Sequence, residues 1–232
     1  MPGRTKPASR LRDLIDAATA VFIAQGYRRT QMADVAEAMG VAKGTVYGYV
    51  ESKEALFDLA LRDATGRLPQ IGALELPHPT PRPGATLREV EELLAEGGTM
   101  PSLTAALARH RVSDIRAEFE GIVRELYAVL SANRTAIKLV DRCSHDYPEL
   151  ARVWFGDGRQ RELTRLASYL ERRGQRQLLR PGPHVAVAAR FIIETVTFWA
   201  LHRFWDPAPQ SLDDAIAEDT VVTLIVNAFV KE

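Results

Sequence analysis

Apolar residues recur at helical spacing along most of the chain, and no stretch alternates apolar and polar residues as a half-buried strand would. Leu11, Leu14, Ile15, Ala18, Val21 and Phe22 form one face of a first helix, which stops at Gly26. Two short helices follow over 30–49, joined by a tight turn at Met39-Gly40-Val41. Val35, Ala36, Met39, Val41 and Val46 can close a small core between them, and Thr30 is placed to cap the first. Ser52 reads as the N-cap of a fourth helix that continues through Leu56, Leu59 and Ala60 to about Gly66.

Prolines 69, 77, 79, 81 and 83 then forbid a continuous helix, so 67–84 is expected to be a connector. Beyond it the helical period returns. Short helices are expected over Leu87–Ala95, ended by Gly97-Gly98, and over Pro101–Arg109. A long helix capped by Ser113 is expected to run to about Cys143, and Tyr147-Pro148 to restart the chain in a short helix through Phe155. Gly156-Asp157-Gly158 reads as a break, followed by a helix to Gly174. A nearly all-apolar helix spans about 184–205, and a last helix begins at Ser211 and runs through Phe229. The fold class is therefore all-α: a helix-turn-helix domain over 1–66, the Pro-rich connector over 67–84, and a larger helical domain over 85–232.

A helix-turn-helix places its second helix in the major groove of DNA. In this chain that helix offers Lys43, Gly44, Thr45, Tyr47 and Tyr49 outward. Lys43 suits a phosphate or base edge, and Thr45 a base edge or a thymine methyl. Tyr47 fits a split role, with its ring packed and its hydroxyl toward phosphate. Tyr49 divides between packing and DNA. Lys53, near the start of the fourth helix, suits a phosphate. Arg4 and Lys6 suit either a minor-groove arm or a disordered terminus. The net charge of zero hides an asymmetry: residues 1–53 hold eight basic and five acidic side chains, an excess of three, which the remainder offsets.

With the motif in place, the chain resembles the tetracycline-repressor (TetR) family of bacterial regulators. The resemblance rests on Ala17-Ala18 through Phe22, Gly26-Tyr27, Asp34-Val35-Ala36, the run from Gly40 to Tyr47, and Ser52-Lys53-Glu54-Ala55-Leu56. It covers about residues 10–60, and departs from the family pattern at Gln31, Ala33, Gly48 and Val50. It implies a homodimer on a double-stranded DNA operator, with Thr30 and Gln31 joining the DNA-facing residues. It also implies dimerisation through the last two long helices, with Val222, Ile225 and Phe229 as interface residues, and a pocket for a small-molecule effector. Tyr127, Trp154, Phe155, Phe191, Thr195, Phe198 and Trp199 are its candidate walls, and Arg142 and His202 its candidate polar contacts. A mostly apolar effector would release a repressor from its palindromic operator. The alternative is an architectural or partner-controlled DNA-binding protein without an effector pocket.

Other chemistry has little support. Asp141, Cys143, His145 and Asp146 form the one dense cluster of reactive side chains, but no second ligand pair or oxyanion loop accompanies them. No catalysis, metal or cofactor is expected. A single cysteine and an N-terminus without an apolar core point to the cytoplasm. The apolar 185–205 segment is interrupted by Arg190, Glu194 and His202, so no membrane contact is expected.

Overall fold

The computed structural model describes residues 8–97, 100–208 and 210–231, so Arg4 and Lys6 lie outside the described residues, as do Gly98 and Pro209. The described elements are helical, apart from two isolated β-bridges, Val50 with His78 and Leu179 with Val230. In chain order the helices are α1 (Ala8–Gln25), α2 (Met32–Ala38), α3 (Lys43–Tyr47), α4 (Lys53–Ala64), α5 (Ala85–Gly97) and α6 (Pro101–Ala108). They continue with α7 (Ile115–Ala132), α8 (Arg134–Ser144), α9 (Pro148–Ala151), α10 (Gln160–Gln175), α11 (Val185–Ala200) and α12 (Asp214–Phe229). No helix is long and apolar enough to cross a membrane among the described residues.

The chain divides into two compact units. One comprises residues 1–91 with 135–154, the other 92–134 with 155–232. This differs from a single division at the connector. The reason is the connector itself, which docks beside α3: Glu51 N–H donates to His78 O at 3.0 Å, and His78 N–H to Tyr49 O at 2.7 Å. Asp58, buried on α4, then receives Arg62 at 2.7 Å and the Thr86 hydroxyl at 3.1 Å, while Arg62 also pairs with Glu89 at 2.7 Å.

The first unit is built on Leu11, Leu14, Ile15, Ala18 and Phe22 of α1, packed on Leu56, Leu59 and Ala60 of α4. α1 ends where its periodicity predicts, at Gly26, whose φ of +90° places it in the left-handed region that favours glycine. The α2–α3 turn closes on Gly40 in the same way. Gly40 N–H donates to Glu37 O and Val41 N–H to Ala36 O, both at 2.9 Å, a Schellman arrangement. Ser52 Oγ accepts from Ala55 N–H at 3.1 Å, the expected cap of α4. Edge-on contacts of Phe57 with Phe22 and Tyr27, at 5.2 and 5.1 Å, and a 4.9 Å stack of Tyr27 on Tyr147 complete this core.

The second unit buries one face each of α6, α7, α10, α11 and α12 around Phe119, Ile122, Tyr169, Ile192 and Val222. Five features depart from the sequence expectation. The long helix breaks at Asn133, whose side-chain amide donates to Val129 O at 2.8 Å and competes with the backbone ladder. Its start is capped by Asp114 rather than Ser113, and α12 by Asp213, whose carboxylate accepts from Ala215 N–H at 2.8 Å. α11 stops at Ala200, and a 3₁₀ turn over His202–Trp205 follows. Gly156 to Gly158 do not break the chain, because a π-helical stretch over Arg152–Arg159 carries it into α10.

Candidate nucleic-acid interface

The second helix of the motif, α3, is only five residues long and is held by Val46, which is buried, and by Val50 just beyond it. Lys43 and Gly44 are exposed, Thr45 is half-buried, and Tyr47 is 43% exposed with Lys43 Nζ 5.8 Å from its ring centre. One turn of helix thus presents a cation, a hydroxyl and an aromatic ring outward, a set able to meet phosphates and base edges together. Gln31, at the start of α2, is also exposed.

Three of the expected DNA-facing residues are placed differently. Thr30 is 2% exposed and donates its hydroxyl to Gly26 O at 2.7 Å, so it neither caps α2 nor reaches outward. α2 is entered instead through Gln31, whose N–H donates to the Asp34 carboxylate at 2.8 Å. Tyr49 is 6% exposed and faces the core, because α3 ends before it and the connector covers it. Lys53 turns inward to the loop after α1, donating to the carbonyls of Tyr27 at 3.0 Å, Thr30 at 3.1 Å and Arg28 at 3.4 Å. Its ammonium also lies 4.7 Å from the centre of the Tyr27 ring.

The same loop meets residues that lie far away in sequence. Asp146 accepts from the N–H groups of Tyr27 at 3.0 Å and Arg28 at 3.1 Å. Arg142 donates to the last carbonyls of α1, Ala24 at 3.2 Å and Gln25 at 3.4 Å. Cys143 is buried with its sulfur 3.9 Å from Phe22 O, and burial pushes its thiol up to about 12. A thiol held protonated is a weak nucleophile. Within this stretch Arg142, Cys143 and Asp146 thereby serve as contacts to α1 and its following loop. No local sequence signal couples residues 120 positions apart, which is why the motif alone did not reveal it.

Residues 14–60 match the model of the bacterial regulatory proteins of the tetR family. Over this segment the chain is similar to the TetR family. The chain is 34% identical over 59 residues to the HTH-type transcriptional repressor KstR2 of Mycolicibacterium smegmatis, a match covering 25% of the chain and 29% of that protein. KstR2 of Rhodococcus jostii is 36% identical over 55 residues, covering 24% and 27%. The chain thus spans less than a third of the length of the curated relatives it matches. The solved structure of the ketosteroid transcriptional regulator KstR2 of Mycobacterium tuberculosis is similar over 98% of each chain, with a TM-score of 0.56 at 17% identity. SCO3833 of Streptomyces coelicolor covers 94% of this chain and 91% of its own, with a TM-score of 0.54 at 21% identity. These structures share the fold: an N-terminal helix-turn-helix and a larger helical region.

The nine residues expected to line an effector pocket are divided between the two units. Arg142 and Trp154 belong to the first unit, where the Trp154 indole donates to Asp141 at 3.1 Å. In the second unit Tyr127 is buried, and its hydroxyl donates to Asp214 at 2.9 Å. Asp214 also holds Arg134 and Arg203. Trp199 packs against the core and meets Phe198 edge-on at 5.5 Å. Phe155, Phe191 and Phe198 are exposed, Thr195 is half-buried, and His202 sits in the 3₁₀ turn.

The expected dimer residues require correction too. Val222, Ile225 and Phe229 are buried in the second unit's own core, on the face of α12 that meets α7 and α11. Apolar side chains left outward include Ile216 and Leu224 on α12, 57% and 65% exposed, with Val187, Phe191 and Phe198 on α11.

Proposed function

We propose that this chain is a homodimeric transcription regulator that represses by occupying a palindromic DNA operator and is released by a small, mostly apolar effector. The observation that carries the reading is the outward set Lys43, Thr45 and Tyr47 on a short second helix within a TetR-type motif. The basic excess over residues 1–53 supports phosphate contact. Exposed Ile216, Leu224, Val187 and Phe191 support self-association, since pairing such faces across a two-fold axis removes them from water. Two recognition helices would then address half-sites roughly 34–36 Å apart or a multiple of it. The neighbouring Tyr127, Trp199 and Phe198 support an apolar effector site in the second unit. Binding there would favour a head spacing that no longer fits both half-sites. The cytoplasm is the site of action that such a role implies.

Selection of bound duplexes from a random pool tests the reading. The expected product is an inverted repeat, bound tightly at low salt and steeply weaker at high salt. A pool that shows no sequence preference overturns it. A second reading, control by a partner protein without an effector, is favoured by Arg142 and Trp154, whose bonds lie within the first unit. A thermal-shift screen of apolar compounds separates the two. A stabilising compound that also lowers operator affinity supports the effector. The absence of any such compound favours the partner.

A further inference from the structure

We propose that the loop from Gly26 to Gln31 is a second DNA contact, a phosphate grip formed by Arg28 and Arg29 and held in shape by Asp146 and Lys53. The proposal rests on the DNA-binding reading above.

The loop backbone is held from both sides by opposite charges. On its N–H side the Asp146 carboxylate takes Tyr27 with one oxygen and Arg28 with the other. On its C=O side the Lys53 ammonium donates to Tyr27, Arg28 and Thr30. The Thr30 hydroxyl closes the loop onto Gly26 O. Gly26 lets the carboxylate come this close: a Cβ there would lie 2.7 Å from Asp146 Oδ2, and φ is already +90°.

Lys53 and Asp146 spend their charges on the backbone and on each other's surroundings. The two side chains that follow Tyr27 do not. Arg28 and Arg29 are exposed, and neither guanidinium has an ion-pair partner among the described residues. Their loop leads directly into α2, and the first helix of a helix-turn-helix crosses the DNA backbone. Two unpaired guanidiniums at that entry match phosphate oxygens, which arginine meets through two parallel N–H donors. A loop fixed before binding loses little further freedom on contact, so its arginines bind more tightly than they would on a mobile segment.

Fluorescence anisotropy on the full chain tests this, with the selected operator and a scrambled duplex across a salt series. Circular dichroism confirms that each variant is folded at the assay temperature. Arg28→Ala and Arg29→Ala are each expected to weaken binding to both duplexes by roughly three- to tenfold and to reduce the salt slope by about 1. Asp146→Asn removes a negative charge. If Asp146 acted through charge alone, DNA binding would tighten; as a positioning residue its loss weakens operator binding with the salt slope unchanged. Unchanged affinity and slope in both arginine variants overturn the grip, and equal or tighter operator binding by Asp146→Asn overturns the clamp. A wild-type chain that binds neither duplex overturns the DNA-binding reading itself, and this proposal with it.

Discussion

Glu118 lies deep in the second unit, where it accepts from Arg173 Nε at 2.9 Å and from the Tyr169 hydroxyl at 3.2 Å. Arg173 is equally buried and also donates to Ala106 O at 2.7 Å, tying α10 to the end of α6. Removing one charge from such a pair strands the other away from water. Glu118→Ala is expected to lower stability by about 3–5 kcal/mol in urea unfolding, and Glu118→Gln by less, since the amide oxygen still accepts. In the first unit Asp58 responds to acid. Burial raises its carboxyl pKa, but hydrogen bonds from His78, Arg62 and Thr86 outweigh burial and hold it below the usual range. A depressed folded value adds stability above the unfolded value near 4, and that stability is lost as pH falls through the folded value. Urea midpoints should therefore fall below about pH 4, and Asp58→Asn should flatten that fall while lowering stability at neutral pH. Neither arrangement was legible in the sequence, because Glu118 and Asp58 look like ordinary helix-surface acids until their partners, up to 55 positions away, fold against them.

At the scale of single elements, α3 is too short to persist alone, since isolated helices below roughly 12 residues are marginal in water. Its shape comes from Val46 and from the connector bonded at Tyr49 and Glu51. Two substitutions on it separate reading from gripping. Thr45→Ala should change preference at one or two base pairs, by roughly 1–3 kcal/mol each, in competition binding. Lys43→Ala should instead weaken all sequences alike. The helices were legible where local chemistry marks them: Gly26, Gly40 and Ser52 each stop or start an element where expected. Asn133 was not, because its break depends on which way one amide turns. Nor was the docking of the connector, since proline density excludes helix without naming a partner. Lys53 was assigned to phosphate from its place at a helix start, yet the carbonyls of the loop after α1 draw the ammonium inward.

For the molecule as a whole, the outward residues of α12 set the expected behaviour of its variants. Leu224→Asp or Ile216→Asp should give monomers by light scattering with thermal stability little changed, and with weak operator binding because only one half-site is held. Ile225→Asp should instead unfold the second unit, as a carboxylate forced into its core finds no partner. Apolar character alone does not separate these cases, because the outer face of α12 also carries Ile216 and Leu224 among its polar residues. The composition of the first unit bears on how such proteins exchange specificity by recombination. A chimera cut after residue 66 would carry the recognition helix but leave His78, Thr86, Glu89, Arg142 and Asp146 to a recipient that evolved for another head. The transplantable module is discontinuous, residues 1–91 with 135–154, and a graft of both pieces should keep its donor's operator preference where the short graft loses it.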